Sequence, residues 1–227
     1  MKNQFLVQTV LNLSCAAQRR NESYIKEVEI IQADDETVKS VIYSNKLLIR
    51  STLGDMEWVY GLPPKDLVVL EEDIQLADEI RKFFRRLSFK VISDNISDFD
   101  QKIHALLNSE TVSSSDLGFI ACLPSVYFRE ESKIRISNII KECTGYLGTT
   151  GQVLTDLDSE ILEVTRSNNY DAWNITAIID KKLSYWMTSN EVVVGPAVII
   201  KAKVKEHSMH WKYLNPMTRL HYVKVAQ

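Results

Sequence analysis

Along the last third of the chain, apolar and polar positions alternate in short runs. QVLTDLDSEILEVTR, NYDAWNITAIID, KKLSYWMTSN, GPAVIIKAKVKEHSM and TRLHYVKVA are five β-rich segments split by NN, DKK, GP and NP. No helical period lies between them. Five strands in about eighty residues fit a small closed or nearly closed barrel, because a β-sandwich of this kind usually needs seven or more. The oligonucleotide-binding (OB) barrel is the most economical such architecture.

Upstream the period changes. Ile74, Ala77, Ile80, Phe84 and Leu87 recur at steps of three and four, predicting an amphipathic helix over about residues 72–88. Arg81, Lys82, Arg85 and Arg86 crowd its C-terminal half, where they complement the helix dipole and keep the outer face wet, a phosphate-contacting role being the alternative. Ser97 is an N-cap for a second helix, DFDQKIHALLN, and Ser115 starts a third at DLGFIAC. Pro124 suits the first turn of a fourth, with Ile134, Ile136, Ile139 and Ile140 available for burial. Nearer the start, 24–31, 38–43, 47–49 and 56–61 read as short strands, ADDE at 33–36 as a polar turn, and 3–18 as either helix or strand. Glycines are scarce, and three of the seven fall in GYLGTTG. That shift places a domain boundary between 144 and 145. The fold class expected is α+β: a mixed N-terminal domain over 1–144 ending in a helical connector, then a five-stranded OB-like barrel over 145–227.

Composition adds little to this frame. The chain has 227 residues, 45% hydrophobic and 25% charged, as ordinary globular domains do. No run is long and apolar enough for a membrane span or a secretory leader. Cys15, Cys122 and Cys143 show no ligand spacing, which points to reduced thiols and a cytoplasmic setting.

Charge distribution is more informative than its total of −3. Residues 1–144 hold 18 basic against 22 acidic side chains, whereas 181–227 hold eight against two. Charge gathered in one segment is a statement about partners rather than fold. The same segment carries KAKVKEHSMHWKYLNP, where lysines alternate with aliphatics and an aromatic, histidine-rich loop follows. A solvated hairpin needs the charges and a core needs the rings. Surfaces that hold single-stranded nucleic acid use both, with bases on rings and phosphates on lysines. The candidate contacts are Lys182, Trp186, Lys201, Lys203, Lys205, His207, Trp211, Lys212, Tyr213, Arg219 and His221. Ile200, Ala202 and Val204 are expected inside and the three intervening lysines outside. Tyr185 and Trp186 point to opposite faces, which leaves open which one is core, while Trp173 is in phase with Ile175, Ala177 and Ile179 and reads as core.

Val204-Lys205-Glu206-His207, Thr218, Leu220 and Val223-Lys224-Val225 resemble the last hairpin of OB-type domains in a set of phage and related proteins. GYLGTTGQ is similar to that family's glycine-marked approach to the first strand, and AWNITAIIDKKLSYWMTSNEVVVG to its middle hairpin. ADEIRKFFRRLSFKVI and DLGFIACLPSVYF are similar to a preceding helical part, so the resemblance spans about 72–227. It departs at Tyr222, where the family tends to place an arginine. The resemblance implies a phage-type OB protein acting on single-stranded DNA in replication, recombination or strand protection, and carries no catalytic residues.

Other chemistries find less support. HSMH is not HExxH, and no cysteine lies near His207, His210 or His221, so no metal is expected. GxxGxxG is neither a dinucleotide fingerprint nor a phosphate loop, and no cofactor is expected. Asp34, Asp35 and Glu36 with Lys39, or Asp156, Asp158 and Glu160 on one strand face, are the carboxylates a metal-dependent nuclease would use. The expected partner is single-stranded nucleic acid, DNA favoured over RNA. The alternatives are an interaction module for a replication or host protein, and that nuclease.

Overall fold

The computed structural model describes residues 3–32, 38–55, 64–87 and 97–226. The chain divides into two compact units, 1–131 and 132–227, with the last turns of a helix belonging to the second.

The first unit is built around α1 (Val7–Asn21), which follows a short strand, β1 (Gln4–Leu6). The ambiguous start is thus both strand and helix. Val10, Leu11, Ala16 and Ala17 are fully buried, because α2 (Asn45–Thr52), α3 (Glu71–Leu87) and α5 (Leu117–Ala121) all pack on α1. β2 (Glu29–Gln32) and β3 (Val38–Ile42) form a hairpin, while β4 (Thr111–Ser113) pairs with β1.

Residues 47–49 are helical, not a strand. Ser44 caps α2 by accepting the Leu47 N–H, and Leu48 and Ile49 are core. Short apolar runs do not distinguish the two states. The amphipathic helix falls where its period places it, except that Ile74 is partly exposed. Asp73 is buried instead, held by Arg19 at 2.8 Å. Ser97 caps α4 (Asp98–Asn108) by accepting the Asp100 N–H at 3.1 Å. The segments 33–37 and 56–63, including the ADDE turn and the 56–61 strand, lie outside the described residues. The three cysteines are free thiols, and burial pushes Cys15 up to about 12.

In the second unit five strands close a barrel: β5 (Val153–Arg166), β6 (Trp173–Ile179), β7 (Lys182–Thr188), β8 (Gly195–Met209) and β9 (Pro216–Val225). Their order is β5-β6-β7-β9-β8, antiparallel throughout except for the parallel β7–β9 pair. This is an OB-like barrel in an α+β protein. Ile161, Ile175, Ala177, Ile179, Ile199, Ala202, Val204 and Leu220 fill the interior, and Trp173 packs partly buried against them.

The GYLGTTG segment belongs to this unit. Gly148 takes φ +62°, and a Cβ there would meet the Gln152 amide oxygen at 2.9 Å and Val204 at 3.3 Å. Two backbone hydrogen bonds of 2.9 Å link Gly151 and Gln152 to Val204, so the glycines turn the chain onto the barrel. Leu147 is buried, its N–H donating to the Thr218 hydroxyl at 2.9 Å.

α6 (Leu123–Glu142) has Pro124 in its first turn. Its C-terminal half lies on the outer face of the barrel, where Ile136, Ile140 and Cys143 cluster with Leu162, Leu183 and Met217.

Candidate nucleic-acid interface

The loop joining β8 to β9 is organised around one imidazole. The backbone N–H groups of Lys212 and Tyr213 both donate to His210 Nδ1 at 3.2 Å. The His210 N–H donates to the Asn215 carbonyl at 2.8 Å and the Leu214 N–H to the His210 carbonyl at 2.9 Å. Tyr213 stacks on the His210 ring at 4.9 Å and Trp211 lies at 6.0 Å. Lys212 Nζ sits 4.9 Å from the Tyr213 ring centre. The result is a hydrogen-bonded turn that leaves Trp211 83% exposed. Burial holds the His210 pKa below its ordinary value, helped by Lys212 and opposed by Glu163.

This loop forms one wall of an open groove of about 730 Å³. Its floor is the outer face of the barrel: Glu163 and Thr165 from β5, Asn174 and Thr176 from β6, Tyr185 from β7 and Arg219 from β9. The opposite wall is α6, through Lys133, Ile136 and Ile140. The Tyr185 hydroxyl donates to Asn174 Oδ1 at 2.6 Å, and burial raises its pKa, so it remains a neutral donor. Arg219 bonds Glu206 at 2.5 Å, and its guanidinium lies 5.8 Å from the Tyr185 ring. Rings and cations therefore share one concave surface, the combination that stacks bases and neutralises phosphates.

The residues singled out in the sequence separate into distinct places. Trp211, Lys212, Tyr213 and Arg219 converge on the groove. Lys201, Lys203 and His221 lie on the β8–β9 ladder, where Lys203 is opposite His221 and Lys201 opposite Lys224. Lys205 is exposed at a register shift between Val204 and Glu206. Lys182, the first residue of β7, bonds Asp180 of the preceding turn at 2.5 Å and does not line the groove. His207 is half-buried and stacks on Tyr146 at 4.4 Å and 11°.

Two expectations are corrected. Trp186 is 1% exposed and cannot receive a base, because it pairs opposite Ile175 and both point into the barrel. Tyr185 takes the outer face instead. Ile200 does not face inward with Ala202 and Val204 but is 47% exposed, while Ile199 is buried. A register shift between Ile199 and Lys201 breaks the alternation there.

Tyr185, Asn174 and Lys133 were missed as site residues. Period two placed Tyr185 opposite in phase to Trp186, but Lys133 reaches the groove only through the packing of α6.

Among the described residues no three His, Cys, Asp or Glu side chains cluster as metal ligands would. Asp34, Asp35 and Glu36 lie outside the described residues, and of Lys39 only the backbone is described. Asp156, Asp158 and Glu160 are exposed on β5. Among the described residues no helix is long and apolar enough to cross a membrane. Comparison with protein-family models, with curated proteins and with solved structures finds no match to this chain.

Proposed function

We propose that this protein binds single-stranded nucleic acid, DNA in preference to RNA, in the groove beside the β8–β9 loop. The observation that carries the reading is the convergence of Trp211, Tyr213 and Tyr185 with Lys212 and Arg219 around one open surface. Bases stack on the rings, each contact being worth ~1–3 kcal/mol by truncation. Phosphates meet the cations and release counterions, so affinity falls as salt rises. Handling of exposed single strands during phage replication, recombination or strand protection is the biological role that fits this chemistry.

Titration with oligothymidine tests it. Tryptophan emission is expected to quench at low salt, with affinity dropping steeply as salt is added. Trp211→Ala is expected to remove most of the quench and weaken binding at every salt concentration. Neither a quench nor a gel shift at low salt overturns the proposal.

That outcome favours a second reading, docking on a replication or host protein. Its support is a wide cleft beside the β7–β8 connection, about 1090 Å³, lined by Val192, Val193, Pro196, Ile200 and Val223.

A further inference from the structure

An OB barrel ordinarily offers an oligonucleotide the outer face of its second and third strands. Here those strands are β6 and β7, and α6 occupies much of that face, with Ile140 and Leu183 fully buried in the contact. A strand leaving the groove therefore needs another route.

The β8–β9 ladder provides one. Arg219 and Met217, which line the groove, are opposite Glu206 and Ser208. Further along the same outer face come Lys203 opposite His221, then Lys201 opposite Lys224. From Ser208 to Lys201 the run is roughly 23 Å at strand spacing. The one carboxylate on the way, Glu206, is neutralised by Arg219. Like charges directly opposite on neighbouring strands repel. Among the described residues Lys201, Lys203 and Lys224 have no carboxylate within ion-pair distance. A cationic pair retained at such a cost is suited to a polyanion.

Tyr222 adds a ring to this face. It is 74% exposed, with its ring centre 4.4 Å from that of His221. Its φ of +54° is one that bulky side chains rarely adopt. The strain arises because β9 advances from His221 to Lys224 while β8 advances from Lys203 only to Lys201. The bulge turns an aromatic outward among three lysines. Among the described residues Tyr222 shares a positive φ with five other non-glycine residues and is the one among them that carries an aromatic ring. Strained backbone of this kind tends to gather at functional sites.

From the groove onward, we infer that single-stranded nucleic acid runs along the β8–β9 ladder, with Tyr222 as a second stacking platform and Lys201, Lys203 and Lys224 holding phosphates. This rests on the reading of the groove above. The track ends near Lys201, because the adjoining β5 carries Asp156, Asp158 and Glu160 beyond the Thr155–Lys201 pair.

A series of oligothymidines from trimer to dodecamer tests the track on the full chain. The wild type is expected to gain affinity with length until groove and ladder are both filled. K201A/K203A/K224A is expected to stop gaining at a shorter length and to lower the salt slope for the dodecamer by about 2, while trimer binding is unchanged. Tyr222→Ala is expected to weaken dodecamer binding about tenfold. Tyr222→Gly removes the strained φ, so it is expected to melt no lower than wild type and still to bind the dodecamer as weakly as Tyr222→Ala. If the triple variant and both Tyr222 variants keep wild-type dodecamer affinity while Trp211→Ala loses it, the track is wrong and the groove reading stands. No binding of any length by the wild type at low salt overturns both.

Discussion

His210 fixes the Trp211 turn only while its Nδ1 carries no proton, because that nitrogen accepts from two backbone N–H groups. Protonation converts an acceptor into a donor facing two donors. The fold therefore favours the neutral ring, in line with a pKa lowered from 6.5 chiefly by burial. The unfolded chain binds this proton more readily than the folded one, so stability rises with pH across the interval between the two pKa values. The contribution is complete above the unfolded value near 6.5 and is lost as pH falls through the folded value. NMR titration of the ring is expected to give a midpoint below 6.5, accompanied by a change in Trp211 emission over the same range. A midpoint above 6.5 would contradict the hydrogen-bonded arrangement. None of this is legible in HSMHWKYLNP, where the histidine reads only as one polar ring among several. The residue types that bind were visible; the atom that orients them is a product of the turn.

At the scale of elements, strands were readable wherever alternation was uninterrupted. Ile175, Ala177 and Ile179 on β6 face inward as their period requires, and Ala202 and Val204 on β8 do the same. Ile200 and Tyr222 were not readable, because a bulge is a property of two paired strands and leaves no mark in either sequence alone. The isoleucines of α6 announced a buried side, yet not what they would be buried against. Ile140 is 1% exposed within the cluster that joins α6 to the barrel. Ile140→Ala leaves a cavity beneath the helix and is expected to cost ~2–5 kcal/mol, read as a lower urea midpoint. Ile134→Ala, at an exposed position of the same helix, is expected to change stability by less than ~0.5 kcal/mol. Equal losses from both would mean that α6 does not pack as described. The Ser97 cap is a smaller element of the same kind: Ser97→Ala removes the acceptor for Asp100 N–H and is expected to cost ~1 kcal/mol.

Across the whole molecule the charge is close to balanced, but the barrel is polarised. Its basic residues gather on β8, β9 and the loop between them, whereas β5 presents Asp156, Asp158 and Glu160 to solvent. The two rows adjoin, since β5 pairs with β8. A phosphate held at the end of the lysine row therefore feels the carboxylates as well. Taking a mean separation on the order of 10 Å in water, each carboxylate repels a phosphate by ~0.4 kcal/mol before screening. Three together amount to ~1.2 kcal/mol, which ions at 0.1 M reduce to about a third because the Debye length is then ~10 Å. D156N/D158N/E160Q is accordingly expected to tighten oligothymidine binding by about twofold at 0.1 M salt and by up to tenfold at much lower ionic strength. Above 0.5 M the variant and wild type are expected to converge. Dissociation constants across a salt series, read from tryptophan quenching, give the answer. The sign is the decisive part, because carboxylates that instead held a catalytic metal or docked the ligand would make neutralisation weaken binding. Tightening that fades with salt is what an electrostatic boundary to the binding strip requires.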